Sequence, residues 1–162
     1  MLGLFTENGP YNYKYRAGHA KQPWTLEHND YSWNNAANVL YIDQPLGTGF
    51  SFISGLGSLR WSEDSLSDDF YTFLHNFMVK YPEFRNRDIY LTGESYAGHY
   101  IPSIARTLQL RADPWINLAG IAIGNGWVDP MYQYPAYPRF ATTHQLISYG
   151  HHLVLSMAYA VC

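Results

Sequence analysis

Only one of the 162 residues is a cysteine, and this residue, Cys162, is the last in the chain. An internal disulfide is therefore excluded, and the thiol is either free or paired outside this sequence. No stretch approaches the roughly 20 apolar residues that cross a bilayer, and residues 1–5 lack the basic flank and apolar core of a signal peptide. We therefore predict neither a membrane association nor a signal peptide.

Charged runs and ligand-binding motifs are also scarce. The net charge of -3 comes from ten basic and thirteen acidic residues without a long run of one sign, which argues against a nucleic-acid partner. No H-E-x-x-H or Cys/His spacing indicates a metal site, and the Gly47-Thr48-Gly49 loop lacks the lysine and spacing of a phosphate-binding P-loop. We expect no metal and no cofactor.

Apolar and aromatic residues are abundant. The chain is 47% hydrophobic and 17% aromatic, with fifteen Tyr and five Trp, so it can bury the core of one domain. Tyr and Trp either line a ligand site or fill such a core, and composition alone does not decide between these uses. No internal repeat or low-complexity linker interrupts the chain, which favours a single domain over residues 1–162.

Strand and helix patterns alternate through the middle of the chain. Compact apolar runs predict buried strands at residues 39–43, 89–92 and 117–123. Helical spacing predicts one amphipathic helix that begins near Ser62 or Ser65, ends before Pro82 and covers a face of the sheet, and a second helix over residues 97–110. This βαβαβ order predicts an α/β fold with a parallel sheet.

The flanking segments have weaker patterns. Residues 3–6 are a short extended candidate, and residues 11–38 are predicted to be a loop with a short hairpin. After about residue 128 the prolines exclude one long helix, so residues 129–162 are predicted to begin a cap of short helices over a core formed by about residues 1–128.

The strand pattern at residues 88–92 leads directly into Gly93-Glu94-Ser95-Tyr96-Ala97. This is the layout of a nucleophile elbow, G-x-S-x-G, in which a serine sits on a tight strand-to-helix turn. The fifth position is alanine, which is small enough for the strand and helix to pack closely. The alternative is a serine in an ordinary strand-to-helix loop.

A serine hydroxyl needs a general base to act as a nucleophile. His99 follows Ser95 by four residues, but the Ser95 hydroxyl should point away from the helix body, so a packing role for His99 is favoured. His75 falls on the polar side of the first helix, where a solvated role suffices. Three further histidines lie in the predicted cap: His144, His151 and His152.

Four sequence blocks, in this order, resemble the serine carboxypeptidases, an α/β-hydrolase family of secretory and lysosomal or vacuolar enzymes. The blocks are residues 7–10, 38–51, 93–102 and 123–130, read as E-N-G-P, N-V-L-Y-I-D-Q-P-L-G-T-G-F-S, G-E-S-Y-A-G-H-Y-I-P and I-G-N-G-W-V-D-P. The resemblance implies a partial α/β-hydrolase with a mostly parallel sheet flanked by helices, and the start of a helical cap.

The resemblance also implies roles for individual residues. Ser95 would be the nucleophile, and the backbone N–H of Tyr96 would form half of the oxyanion hole. Glu94 and Glu7 would recognise the free carboxylate at the C-terminus of a peptide or protein substrate, sharing protons and so favouring acidic pH. The loop at residues 47–49 would form part of the active-site rim. Substrate-pocket and cap-packing roles are both open for Tyr132, Tyr134 and Tyr137.

Three parts of the family pattern are absent from this sequence. They are the Asn-Gly-Gly-Pro-Gly-Cys-Ser-Ser block before Glu7, which supplies the other oxyanion donor, and the catalytic Asp and His. We therefore expect an internal and inactive fragment of a secreted or vacuolar or lysosomal carboxypeptidase, which further segments of a parent chain would complete. The alternatives are a fragment of a carboxypeptidase-like acyltransferase, which transfers the acyl group to an alcohol, and a non-catalytic binding fragment.

Overall fold

A computed structural model describes residues 2–18, 23–53 and 62–161. Contacts divide the chain into two compact units, Met1–Arg60 and Trp61–Cys162, and each unit is described by itself. Cys162, the cysteine whose pairing was left open, lies outside the described residues. The prediction of one domain over the whole chain stays a prediction.

The first unit contains a two-stranded hairpin. Strands β1 (Tyr11–Tyr15) and β2 (Trp24–His28) pair antiparallel, which confirms the hairpin predicted within residues 11–38. A π-helical turn, Gly3–Glu7, precedes β1, so the extended conformation predicted for residues 3–6 is wrong. The turn forms because its polar groups pair locally, with the Asn8 N–H donating to the Gly3 carbonyl at 3.0 Å.

The strand predicted at residues 39–43 is also wrong, because this segment belongs to neither sheet. An apolar run indicates burial, but a strand also requires a backbone partner. The segment is held by hydrogen bonds of side chains instead. The Tyr41 hydroxyl donates to Asn8 Oδ1 at 3.0 Å, and the Ser51 hydroxyl donates to the Asp43 carbonyl at 2.8 Å.

The second unit is built on a parallel pair of strands. Helix α1 (Glu63–Lys80) precedes β3 (Asp88–Glu94), and helix α2 (Ala97–Arg111) connects β3 to β4 (Asn117–Gly124). The two strands pair in register from their first residues to their last, with one irregularity after Ile89. These bounds confirm two predicted strands and both predicted helices, and with them the α/β class.

Helix α1 begins and ends where its sequence predicts. The Ser62 hydroxyl accepts a hydrogen bond from the Ser65 N–H at 3.3 Å, which caps the first turn, and Glu63 and Asp64 complement the positive end of the helix dipole. Tyr81 terminates the helix before Pro82, which has no N–H to continue it.

The core of this unit lies between the two long helices. Within residues 62–161, α1 packs on α2 and on the turn Pro82–Phe84, and α2 packs on β3 and β4. The prediction that α1 covers a face of the sheet is not borne out for β3 and β4, because α1 contacts α2 and the turn but neither strand. The buried apolar side chains are Leu66, Phe70, Leu74 and Met78 of α1 and Ile101, Ile104, Ala105 and Leu108 of α2. Each large one contributes about 1.5–3 kcal/mol through its burial.

Three shorter helices follow β4: α3 (Pro130–Gln133), α4 (Ala136–Thr143) and α5 (Tyr149–Val161). They confirm the predicted short helices, while their assignment to a cap stays a prediction. Across the described part of the chain, every helix is too short or too polar to cross a bilayer.

A polar cluster fixes the C-terminal end of α2. The Asp113 carboxylate, only 5% exposed, lies 2.6 Å from His75 Nδ1 and accepts hydrogen bonds from the Tyr71 hydroxyl and the Trp115 N–H. His75 also stacks on the Trp115 ring. The prediction that His75 is merely solvated is therefore wrong. Helical spacing places His75 on the polar face of α1, but it does not reveal a carboxylate that follows another helix.

The Asp113 cluster makes stability depend on pH. Burial raises the pKa of Asp113, but hydrogen bonds from His75, Trp115 and Tyr71 outweigh it and hold that pKa below its ordinary value. A carboxyl whose folded-state pKa is lowered stabilises the fold fully above its unfolded pKa, about 4. This contribution is lost as the pH falls through the lower, folded-state pKa.

We predict that Asp113→Asn lowers the free energy of unfolding by about 1–3 kcal/mol at neutral pH, and that the deficit shrinks at about pH 3. Urea unfolding of the unsubstituted chain and of Asp113→Asn at the two pH values measures this deficit. Asp30→Asn is the matched control, because Asp30 pairs with His28 at 3.0 Å on the exposed surface and should contribute little. A deficit that is the same at both pH values would contradict the prediction.

Candidate active site

Ser95 lies on the turn between β3 and α2 with a positive backbone φ of 58°. This left-handed conformation is costly for a residue with a side chain, so the surrounding structure must hold it. Two hydrogen bonds, one with the last residue of β4 and one with the loop after it, do so. The Ser95 N–H donates to the Gly124 carbonyl at 3.0 Å, and the Trp127 N–H donates to the Ser95 carbonyl at 2.8 Å.

Small residues around Ser95 allow strand, helix and loop to approach closely. A Cβ at Gly93 would lie 2.6 Å from the Ala97 Cβ, so an alanine in the fifth position of the motif already fills the available space. A Cβ at Gly98 would lie 2.7 Å from the backbone of Trp127. Glycine is therefore required at both positions, and the loop after β4 passes directly over the first turn of α2.

The backbone N–H of Tyr96 has no acceptor within residues 62–161. Of the neighbouring amides, the Gly98 N–H donates to the Ser95 carbonyl and the His99 N–H donates to the Tyr96 carbonyl, each at 3.0 Å, whereas the Ala97 N–H, like that of Tyr96, has no acceptor within residues 62–161. The first N–H groups of a helix are free donors at the positive end of its dipole. The Tyr96 N–H is therefore available to an anionic ligand atom beside Ser95.

Ser95 opens into a pocket of about 440 Å³. The ring of Trp127 stacks on Tyr134 with centroids 6.0 Å apart, and Tyr134 contacts Tyr137 at 5.6 Å. The lining residues are Ser95, Tyr96, Asn125, Gly126, Trp127, Gln133, Tyr134, Ala136 and Tyr137. Of the three tyrosines considered for a pocket, Tyr132 is absent from this lining and is 81% exposed. The space beside Ser95 therefore has an aromatic wall with polar edges.

A larger concavity, about 800 Å³, lies between α4 and α5. Its lining is mainly apolar, and it contains none of the predicted site residues. Size alone therefore does not identify the site, and the pocket beside Ser95 remains the chemically relevant one.

The His99 ring packs among aromatic rings. It contacts Tyr96 at 5.1 Å and meets the Trp127 ring edge-on at 5.0 Å. Tyr100 joins the same cluster through Tyr96, and burial, together with the nearby charges of Tyr96 and Glu63, raises the pKa of the Tyr100 phenol. These contacts favour a packing role for His99.

The other described histidines of this unit are also occupied away from Ser95. His75 and Asp113 form an Asp–His pair, but Asp113 follows the far end of α2, whose fifteen residues span about 22 Å. His151 Nδ1 lies 2.8 Å from the Ser148 hydroxyl. His144 and His152 contact the rings of Phe140 and Tyr149. Within residues 62–161, no side chain forms a hydrogen bond with the Ser95 hydroxyl.

The two glutamates predicted to read a carboxylate lie in different units. Glu94 is the exposed last residue of β3, opposite Gly124. Glu7 ends the π-helical turn of the first unit, and its relation to Glu94 stays a prediction. No group of three potential metal-ligating side chains occurs among the residues that the structure describes.

Two buried polar residues that sequence reasoning missed hold the block after Glu7. Asn29, 7% exposed, donates to the Gly9 carbonyl at 2.9 Å, and Ser32, 5% exposed, donates to the Asn8 carbonyl at 3.1 Å. Both lie within residues 11–38, which the sequence predicts to be a loop with a short hairpin. Their spacing carries no periodic signal, because each bonds to backbone twenty or more residues away.

Comparisons with known proteins agree on one family. The family model described as "Serine carboxypeptidase" matches residues 1–160. "Serine carboxypeptidase-like 48" of Arabidopsis thaliana is 43% identical over 99% of this chain and 31% of its own length, and "Pheromone-processing carboxypeptidase kex1" of Neosartorya fischeri is 42% identical over 100% and 26%. The chain thus spans a third or less of the length of these relatives.

A solved structure matches as well. The crystal structure of Kex1(delta)p, a prohormone-processing carboxypeptidase from Saccharomyces cerevisiae, superimposes with a TM-score of 0.80 at 33% identity. The match covers 92% of this chain and 32% of that chain. It confirms a partial α/β-hydrolase fold.

We predict that Gly98→Ala destabilises the second unit by about 1–3 kcal/mol, because its methyl group would overlap the Trp127 backbone. Gly150→Ala is the control, since its Cβ would meet only the Ser148 hydroxyl at 3.7 Å and alanine favours a helix by up to about 1 kcal/mol. Denaturant unfolding measures both. Equal effects of the two substitutions would show that the loop after β4 can move away from α2 at little cost.

Proposed function

Because the chain belongs to the serine carboxypeptidase family, we propose that it carries the nucleophile of a serine-type carboxypeptidase. This hydrolase removes C-terminal residues from peptides and proteins through an acyl-enzyme on Ser95. One observation carries the proposal: Ser95 sits on a left-handed strand-to-helix turn and opens into a pocket beside an unpaired backbone N–H. A nucleophile needs this combination of exposure and an adjacent donor.

The reaction follows from these groups. The Ser95 Oγ attacks the carbonyl carbon of the last peptide bond while a histidine takes the hydroxyl proton. The Tyr96 N–H donates to the oxyanion of the tetrahedral intermediate, and loss of one such donor typically costs about 10²–10³ in rate. The C–N bond then breaks, the leaving amine takes the proton from the histidine, and water hydrolyses the acyl ester.

The general base must come from another part of the protein. Within residues 62–161, the histidines pair with or pack on groups other than the Ser95 hydroxyl, and the Asp–His pair there lies at the far end of α2. We infer that a histidine and an acidic residue beyond those residues complete the triad, and that segments of a parent chain complete the fold. On this proposal the 162-residue chain alone is catalytically inactive.

Glu94, and Glu7 from the first unit, are proposed to bind the C-terminal carboxylate of the substrate. Two carboxyl groups can bind a third only when protons are shared among them, which favours acidic conditions. This supports a secreted protein or one in the lumen of a vacuole or lysosome. The pocket wall formed by Trp127, Tyr134 and Tyr137 would then contact the side chain beside the scissile bond.

Two rival functions use the same chain. A carboxypeptidase-like acyltransferase would pass the acyl group from Ser95 to an alcohol instead of water. A non-catalytic fragment would bind ligands through the pocket without turnover. The presence of both Glu7 and Glu94 favours the peptidase, because these residues are proposed to read a free peptide C-terminus.

We predict that a fluorophosphonate labels Ser95 stoichiometrically in the protein isolated from its natural source, and that Ser95→Ala abolishes labelling. The 162-residue chain alone should label only at background, because it lacks an activated hydroxyl. Mass spectrometry identifies the modified residue, and Ser148→Ala, which removes the serine beside His151, should leave labelling unchanged. Stoichiometric labelling of the isolated chain would refute its inactivity, whereas turnover of esters but not peptides would favour the acyltransferase.

In the protein isolated from its natural source, we predict that Glu94→Ala raises KM for a blocked dipeptide with a free C-terminus by at least about tenfold, the cost of roughly 1.4 kcal/mol of binding, because alanine cannot share a proton with the substrate carboxylate. The same substitution should change KM much less for the C-terminally amidated peptide, which has no carboxylate to bind. Steady-state kinetics with the matched pair of peptides measures the difference. An equal effect on both peptides would remove Glu94 from carboxylate recognition.

A further inference from the structure

Gln133, the last residue of α3, binds three backbone groups of one short loop. Its Oε1 accepts hydrogen bonds from the N–H groups of Val128 at 2.9 Å and Asp129 at 3.0 Å, and its Nε2 donates to the Gly126 carbonyl at 2.8 Å. The side-chain amide of Gln133 therefore forms hydrogen bonds with backbone groups on both sides of Trp127 in the chain. The bond to the Gly126 carbonyl is half-buried, so this carbonyl would be poorly hydrated if the amide were removed, whereas the Val128 and Asp129 N–H groups lie at the surface.

The loop that Gln133 holds is the one that holds Ser95. The Trp127 N–H donates to the Ser95 carbonyl at 2.8 Å, and Trp127 is flanked by the residues that Gln133 binds. The Ser95 N–H is paired with Gly124, the last residue of β4, from which the same loop continues. Displacement of Trp127 would leave the Ser95 carbonyl with only the Gly98 N–H, and the strained backbone at Ser95 would lose one of its restraints.

We propose that Gln133 is a positioning residue for Ser95, acting through Trp127. The proposal rests on the proposed function, because it treats Ser95 as the reacting group. Gln133 keeps Gly126–Asp129 in one conformation, the Trp127 N–H keeps the left-handed turn at Ser95, and the turn aims the hydroxyl into the pocket. Misplacing a reacting group by about 1 Å can cost 10²-fold in rate.

A different role for Gln133 is available, because its side chain also lines the pocket. A direct contact with substrate would appear mainly in KM. A positioning role appears in kcat and in the rate of covalent modification of Ser95, since the geometry of the hydroxyl changes while the pocket walls remain. The two roles therefore separate kinetically.

The test introduces Gln133→Met and Gln133→Glu into the protein in the form that its natural source produces. Methionine keeps the length of the side chain and removes all three hydrogen bonds. Glutamate keeps the two bonds that Oε1 accepts and loses the donor to the Gly126 carbonyl. Gln109→Met is the matched control, because Gln109 is exposed on α2 and has no hydrogen bond from its side chain within residues 62–161.

For Gln133→Met we expect kcat and the fluorophosphonate labelling rate to fall together by about 10–100-fold, with KM changed less than about threefold. Amide hydrogen exchange at Trp127, followed by NMR or mass spectrometry, should become faster by about tenfold or more. For Gln133→Glu, kcat, the labelling rate and the exchange rate should lie between those of Gln133→Met and those of the unsubstituted protein. For Gln109→Met, all three should equal those of the unsubstituted protein. A thermal melt reports whether each variant remains folded.

Three outcomes would overturn the proposal: unchanged exchange at Trp127, a kcat equal to that of Gln109→Met, or a loss confined to KM. A failure of the proposed function is distinguishable from these. If the unsubstituted protein neither labels nor hydrolyses peptides, Ser95 is not the nucleophile. The exchange rates at Trp127 and Ser95 then still decide whether Gln133 holds the turn.

Discussion

The two hydrogen bonds that join the Ser95 backbone to the end of β4 and to the loop after it are the constraint on which the rest of the second unit depends. They hold a residue with a side chain in a left-handed conformation that it would otherwise leave. To form them, β4 must pair with β3 in register, and the loop must cross the first turn of α2. Gly98 permits that crossing because a methyl group there would overlap the Trp127 backbone, and Gly93 allows the first turns of α2 to approach β3 closely.

Locally encoded features were predictable from the sequence. Helices α1 and α2 have apolar spacing and clear end signals, and the elbow has a short motif between a strand and a helix. Each of these depends on residues within a few positions of one another. The same holds for the short helices after β4, where closely spaced prolines limit helix length.

Features that depend on distant partners were not predictable. Residues 39–43 have the composition of a strand, but the backbone finds no ladder among the described residues of its unit. His75 meets Asp113 across two helices, and Asn29 and Ser32 bind backbone twenty or more residues away. Gln133 is local, but its amide binds a loop of irregular conformation, for which no periodic pattern exists. These contacts are set by tertiary packing rather than by spacing.

The Asp113 cluster restricts movement at the opposite end of α2. A helix of fifteen residues is a rigid lever about 22 Å long, so a tilt of one degree about one end moves the other by about 0.4 Å. Hydrogen bonds at Asp113, together with the packing of α1 along the length of α2, restrict that tilt. The orientation of the unpaired Tyr96 N–H therefore depends on contacts at both ends of α2. A change at Asp113 would tilt the helix and alter that orientation.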